Sequence, residues 1–188
     1  MKNIMLKNAA MFFAVAAAST VAHAQNWTWT GAESSNWSDE RNWTDGTNPP
    51  GDINLLNGTT VRIGMGPNLP ANQDIDGLSV STLQIGTLTA DLKVDGNKIR
   101  IQNNIVHMDS STANQAPFEI VFSNHLEFAA GASIGQAYRP MRFYGRLSED
   151  GGSRRFVFNN GELHYYGPVE FTGGFQNPQM HFHSNKFP

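Results

Sequence analysis

The chain has no cysteine. Disulfide staples, thiolate metal sites and cysteine nucleophiles are therefore excluded. Charge is sparse as well: Asp, Glu, Lys and Arg make up 15% of the residues, the formal net charge is −3, and the basic residues form no cluster. A polyanion such as nucleic acid finds no electrostatic footprint here, and neither does an anionic bilayer surface. No apolar run reaches the roughly 20 residues that a membrane-spanning helix needs. The chain also lacks a phosphate-binding loop and a His-Glu-x-x-His helix. The expectation is a protein that is not an enzyme and needs no cofactor.

The front of the chain does carry a signal. Lys2 and Lys7 precede a short apolar run, Ala9 to Ala18, and Ala22-His23-Ala24 follows it. A basic start, a brief apolar middle and small residues at the cleavage positions mark residues 1–24 as a signal peptide, with Gln25 first in the mature chain. The other reading, an uncleaved anchor, suits such a short run poorly. Export is expected, to the extracellular space or the bacterial cell surface, with the periplasm as a third location. The remainder is of single-domain length.

Helical periodicity is almost missing from that remainder, and period-two alternation replaces it. Leu83-Gln-Ile85, Ile99-Arg-Ile101, Leu126-Glu-Phe128, Met141-Arg-Phe143 and Leu163-His-Tyr165 each place apolar residues on one face. Asp76-Gly77, Asp95-Gly96, Asn160-Gly161 and Gly173-Gly174 punctuate them as turns. The runs also recur. Ile99, Ile120, Met141 and Leu163 are 21, 21 and 22 residues apart. Leu83, Ile105, Leu126, Leu147 and Val169 form a second register, and Leu92, Ala113, Ile134 and Phe156 a partial third.

A period of 21–22 residues suits three short strands with turns, wound as one coil and stacked in parallel on the next at about 4.8 Å. The expected fold is all-β, a right-handed parallel β-helix (solenoid) over residues 61–188, its coils left incomplete at the C-terminus. Self-association through that open last coil is expected. A β-sandwich is the competing architecture, but sandwich strands need not keep a constant register.

All four tryptophans, Trp27, Trp29, Trp37 and Trp43, lie in the first part of the mature chain. Large rings between turn residues can shield an exposed first coil, so residues 25–60 are expected to form a Trp-rich N-terminal cap. The alternative is a carbohydrate-binding module in which the same rings stack on sugars. The pattern Trp29-Thr30-Gly31, Trp37-Ser38, Asn42-Trp43, continuing through Pro49-Pro50 and Gly51-Asp52, resembles the opening of bacterial exported proteins built from autotransporter-associated β-strand repeats. It is similar also to openings of PEP-CTERM-type exported proteins. The resemblance implies a passenger-like β-helix of structural or adhesive role, in contact with surface glycans or extracellular matrix. Neither a membrane β-barrel nor a Pro-Glu-Pro sorting tail follows, so the chain is expected to be a truncated passenger or a short free-standing member.

Other residues invite weaker readings. His181 and His183 share a strand face, with His164 and His125 on earlier runs, but nothing supplies the third ligand that zinc needs. Glu127 and Glu170 fall in one outward column with Gln84, Val106 and Ser148, two coils and about 9.6 Å apart. That is the upper limit for an inverting carboxylate pair in a polysaccharide-cleaving enzyme, the least favoured alternative. Arg100, Val121, Arg142 and His164 form a mildly basic outward column. The Asn-x-Ser/Thr triplets at Asn26, Asn36, Asn42 and Asn57 suit turns better than glycans.

Overall fold

The computed structural model describes residues 25–64, 68–69, 71–88, 90–108, 118–136, 140–150, 156–160, 162–171, 175–176 and 180–182. The alternating runs become strands. In chain order these are β1 (Asn26–Trp29), β2 (Trp43–Thr44), β3 (Thr60–Ile63), β4 (Asn72–Gln73), β5 (Ser79–Ile85) and β6 (Leu92–Gly96). β7 (Ile99–His107), β8 (Ile120–Phe122), β9 (Leu126–Phe128), β10 (Ser133–Gln136), β11 (Met141–Phe143) and β12 (Leu147–Glu149) follow. The last are β13 (Phe156–Asn160), β14 (Leu163–Tyr165), β15 (Val169–Glu170), β16 (Phe175–Gln176) and β17 (Met180–Phe182). Two 3-10 turns, Glu40–Asn42 and Ile53–Leu56, are the helical elements among the described residues. No helix there is long and apolar enough to cross a membrane.

The fold is all-β with parallel sheets. The larger sheet runs β15-β12-β9-β7-β5-β3-β1-β2, with β10, β13 and β16 branching from β7. The second runs β17-β14-β11-β8-β6-β4. Among the described strands only β1 and β2 pair antiparallel. The branch arises because β7 is long enough to serve two neighbours. Its first part, Ile99–Ile101, pairs with β9, while Asn104 and Ile105 pair with β10. β5 is divided likewise, by a register shift between Val80 and Thr82. From β6 onward the chain visits the same three ladders in the same order: second sheet, main limb, branch limb.

Equivalent residues therefore stack in columns. Ile120, Met141 and Leu163 are aligned in β8, β11 and β14, and so are Phe122, Phe143 and Tyr165. The three aromatic rings are buried and stacked nearly parallel, with centroids 5.6 Å apart at 10° and 5.4 Å apart at 15°. Burial pushes the Tyr165 hydroxyl well above its ordinary pKa. Just past these rings the chain turns through Asn124, Gly145 and Gly167. A side chain at Gly145 would collide with the Asn124 carbonyl, and one at Gly167 with the carbonyls of Tyr144 and Gly145. The corner is tight enough that carbonyls of successive passes fill the space of a Cβ.

The expected columns are correct in part. Ile120, Met141 and Leu163 hold, but Ile99 does not precede them: Leu92 pairs with Ile120, and Ile99 lies in the larger sheet opposite Leu126. Leu83 pairs with Ile105, Leu126 with Leu147 and Leu147 with Val169, yet Ile105 continues to Ile134 rather than Leu126. In the third register Ile134 pairs with Phe158, not Phe156, and Ala113 lies outside the described residues. The cause is one long pass. Leu92 to Ile120 spans 28 residues, whereas Ile120 to Met141 spans 21 and Met141 to Leu163 spans 22. A strict period cannot see an insertion, so it slid the earlier strands into the wrong ladder.

Candidate functional site

The tryptophan segment comes first among the described residues and ends the larger sheet. β1 pairs parallel with β3 and antiparallel with β2, so Trp29 stands opposite Trp43. All four indoles are at most 2% exposed and belong to the main core cluster. Trp43 meets Trp29 edge-on at 4.9 Å and Trp37 at 5.5 Å. Each of three indole N–H groups donates to a carbonyl: Trp27 to Leu55, Trp29 to Asn68 and Trp43 to Trp37. The polar motif residues shape the backbone around them. Buried Asn42 accepts from the N–H groups of Glu33 and Ser34 and donates to Ser34 Oγ and the Asn36 carbonyl. Ser38 bonds Asp74 through both its N–H and its hydroxyl. With every indole buried, a carbohydrate platform on Trp27, Trp29, Trp37 and Trp43 is corrected to a packing role: no ring face is open to a sugar.

The outer face of the larger sheet carries a charged network. Its column reads Arg100, Glu127, Ser148, Glu170. Gln84 and Val106 belong instead to the other part of β5 and β7, and Arg100 leaves the basic column expected with Arg142 for this one. Glu127 pairs with Lys98 and Arg100, and Arg100 also with Asp150. Glu170 pairs with Arg146. Glu127 and Glu170 thus share a column as expected, but each is neutralised by its own cation, an arrangement of ion pairs rather than an acid–base couple. Within this network His125 Nε2 lies 2.8 Å from Ser148 Oγ. Burial, then the charges of Arg146 and Lys98, lower the imidazole pKa. A serine–histidine contact acts as nucleophile and base when a third group orients the ring. Among the described residues the ring's hydrogen bond is to Ser148 alone.

The outer face of the second sheet is different, because it carries exposed aromatic rings. Alternation sends Lys93, Val121, Arg142 and His164 outward in one column. Two residues on, Asp95, Ser123, Tyr144 and Tyr166 form the next: the N–H groups of Ser123, Tyr144 and Tyr166 donate to the carbonyls of Val94, Phe122 and Phe143. Tyr144 and Tyr166 stack at 4.5 Å and 7°, and Tyr144 is 48% exposed. Arg142 pairs with Glu119 and His164 with Glu162. The Glu119 hydrogen bond raises the Arg142 pKa above its ordinary value. Neither tyrosine was singled out by the sequence reading, although Phe143-Tyr144-Gly145 and Tyr165-Tyr166-Gly167 repeat one pass apart. The repeated Tyr-Gly pair was the available signal.

Of the four histidines weighed as metal ligands, His183 and the side chain of His181 lie outside the described residues. His125 and His164 have the separate partners just named. Among the described residues no group of three or more His, Asp or Glu could hold a metal ion. Compared with protein-family models, curated proteins and solved structures, the chain matches none of them.

Proposed function

We propose that the chain is an exported structural module, a right-handed parallel β-solenoid of the bacterial surface or extracellular space that presents side chains at fixed spacing. The observation that carries this reading is the ladder order: passes from β6 to β17 visit the same three ladders in sequence, every pairing parallel. A chain that returns to the same ladders one strand spacing further on builds a continuous core that no single pass could bury. The tryptophan segment fits as its cap, since it takes the terminal place in the larger sheet, where parallel strand edges would otherwise stand open. Lys2, the Ala9 to Ala18 run and Ala22-His23-Ala24 support export. The Trp29 to Trp43 pattern supports a passenger-like role in adhesion or matrix contact. Its working principle is geometric, with outward columns repeating about every 4.8 Å on a rigid scaffold.

One experiment tests location and winding together. Arg142 and His164 are paired on adjacent parallel strands, within the Cα separation that a disulfide requires. The native chain has no cysteine, so a chain carrying Arg142→Cys and His164→Cys has no competing thiol. Expressed with its own leader in a bacterium, it is expected in the envelope or medium, beginning at Gln25 and cross-linked by the oxidising compartment. An uncut, reduced chain kept in the cytoplasm overturns export. An exported chain with both thiols free overturns the parallel winding.

A further inference from the structure

We infer that the Ser123 level of the second sheet's outer face is a subsite for one neutral sugar ring of a glycan, with Tyr144 as its stacking wall. The site follows from the ladder geometry alone and does not depend on export or on the passenger-like role. Tyr144 and Tyr166 stack with nearly parallel planes, and their 4.5 Å separation matches the spacing of neighbouring strands. Their ring normals therefore point along the stack. One face of Tyr144 is covered by Tyr166. The other looks towards the preceding pass, where the equivalent residue is exposed Ser123. The aromatic ladder stops there, one level short.

The missing level has the dimensions and chemistry of a pyranose. Two strand spacings, about 10 Å, separate the Tyr144 level from that of Asp95. A ring stacked at about 4.5 Å on Tyr144 fills the Ser123 level between them. The axial C–H groups of a sugar meet the negative face of the phenol ring, the geometry that its quadrupole favours. Beneath lies the Ser123 hydroxyl, both donor and acceptor. At the far side stands exposed Asp95, one of whose carboxylate oxygens accepts from the Gly96 N–H while the other accepts no bond among the described residues. On the flank lie the Arg142–Glu119 pair and, opposite Arg142 on the neighbouring strand, Val121, which faces outward yet is only 7% exposed and stays outside the core cluster. Apolar wall, hydroxyl floor and convergent polar rim are the makings of a ligand site.

Charge selects the class of sugar. Arg142 is neutralised by Glu119, and Lys93 and Asp95 on one strand oppose each other. The rim offers no net positive charge to a uronate or sulfated unit, whereas its carboxylates suit hydroxyl donors. A neutral polymer is the fitting partner.

Retardation in native gels cast with a neutral glucan, a neutral mannan or polygalacturonate tests this, using protein purified from cells expressing the full chain. Retardation by a neutral polymer is expected for the native chain and for Tyr144→Trp. Tyr144→Ala should weaken it at least about tenfold, roughly the value of one stacked ring. Ser123→Tyr is the sharper variant, because a third tyrosine extends the stack and fills the subsite. It should abolish retardation while leaving thermal stability equal or higher, which a purely structural tyrosine pair does not predict for binding. The inference is overturned if no neutral polymer retards the native chain, if only polygalacturonate does, or if Ser123→Tyr still binds.

Discussion

The tryptophan segment and the ladders behind it share one core cluster but are held by different means. In the ladders each residue meets its equivalent one pass away, so Phe122, Phe143 and Tyr165 repeat one contact. In the segment no contact repeats. Trp43 touches two other indoles edge-on, and Asn42 satisfies four hydrogen bonds by itself. Gly31 holds a left-handed backbone, φ 61°, against Asn68 and the Trp29 indole. A repeated contact can be weakened at one level and remain at the next, which is how stacked arrays distribute stability. A singular contact has no second copy. The end of the sheet should therefore be the least tolerant part of the molecule.

Trp43→Ala puts that difference to its hardest test. It empties a large buried site and removes the donor to the Trp37 carbonyl, so the expected loss is about 3–5 kcal/mol. Phe143→Leu, at the centre of the repeated stack, should cost less than about 1.5 kcal/mol because volume is nearly kept and rings remain on both sides. Urea titration followed by circular dichroism measures both. Equal losses would show that the segment has no special standing.

Gly145→Ala looks for the point where the ladders are as unforgiving as the segment. The new methyl group would meet the Asn124 carbonyl, and a backbone group cannot step aside as a side chain can. A loss of about 1–3 kcal/mol is expected from overpacking, read as a lower midpoint in the same titration. An unchanged midpoint would mean that the corner opens freely. The corner would then add nothing to the strand ladders and side-chain columns that couple successive passes.

The same contrast governs what could be read from the residues. Period-two alternation located β5, β7, β9, β11 and β14, because apolar and polar faces are dictated locally, but not the short strands β1 to β4 of the chain's front part. Parallel stacking was legible where passes are equal, from Ile120 to Leu163. It failed at Ile99 and Ile105, since the length of a loop does not alter the residues it joins. The tryptophans announced a packed unit, but their burial came from partners far along the chain, Leu55 and Asn68 among them. The Tyr144–Tyr166 stack was missed for another reason. The outward column read at Arg142 and His164 stops two residues short of the tyrosines, and an exposed aromatic has meaning only once its neighbour one pass away is known.

The smallest expected effect concerns His125, where the outer face of the ladders answers to pH. Burial lowers its pKa first, with the cations of Arg146 and Lys98 adding to that and Glu127 and Glu170 opposing it. Its value in the unfolded chain is about 6.5. Below that pH the unfolded chain takes up a proton that the folded chain resists, so stability rises with pH across the window. The contribution is complete above about 6.5 and is lost as pH falls through the folded value. Carboxylates titrate lower, near 4, which leaves pH 5 to 8 as a clean interval. His125→Gln keeps a polar group beside Ser148 but cannot titrate, so its urea midpoint should vary less over that interval than the native one. His107 and His164 are present in both chains and cancel in the difference. Identical pH profiles would mean that water reaches His125 as freely folded as unfolded, and the outer charged network would then be a solvated fringe.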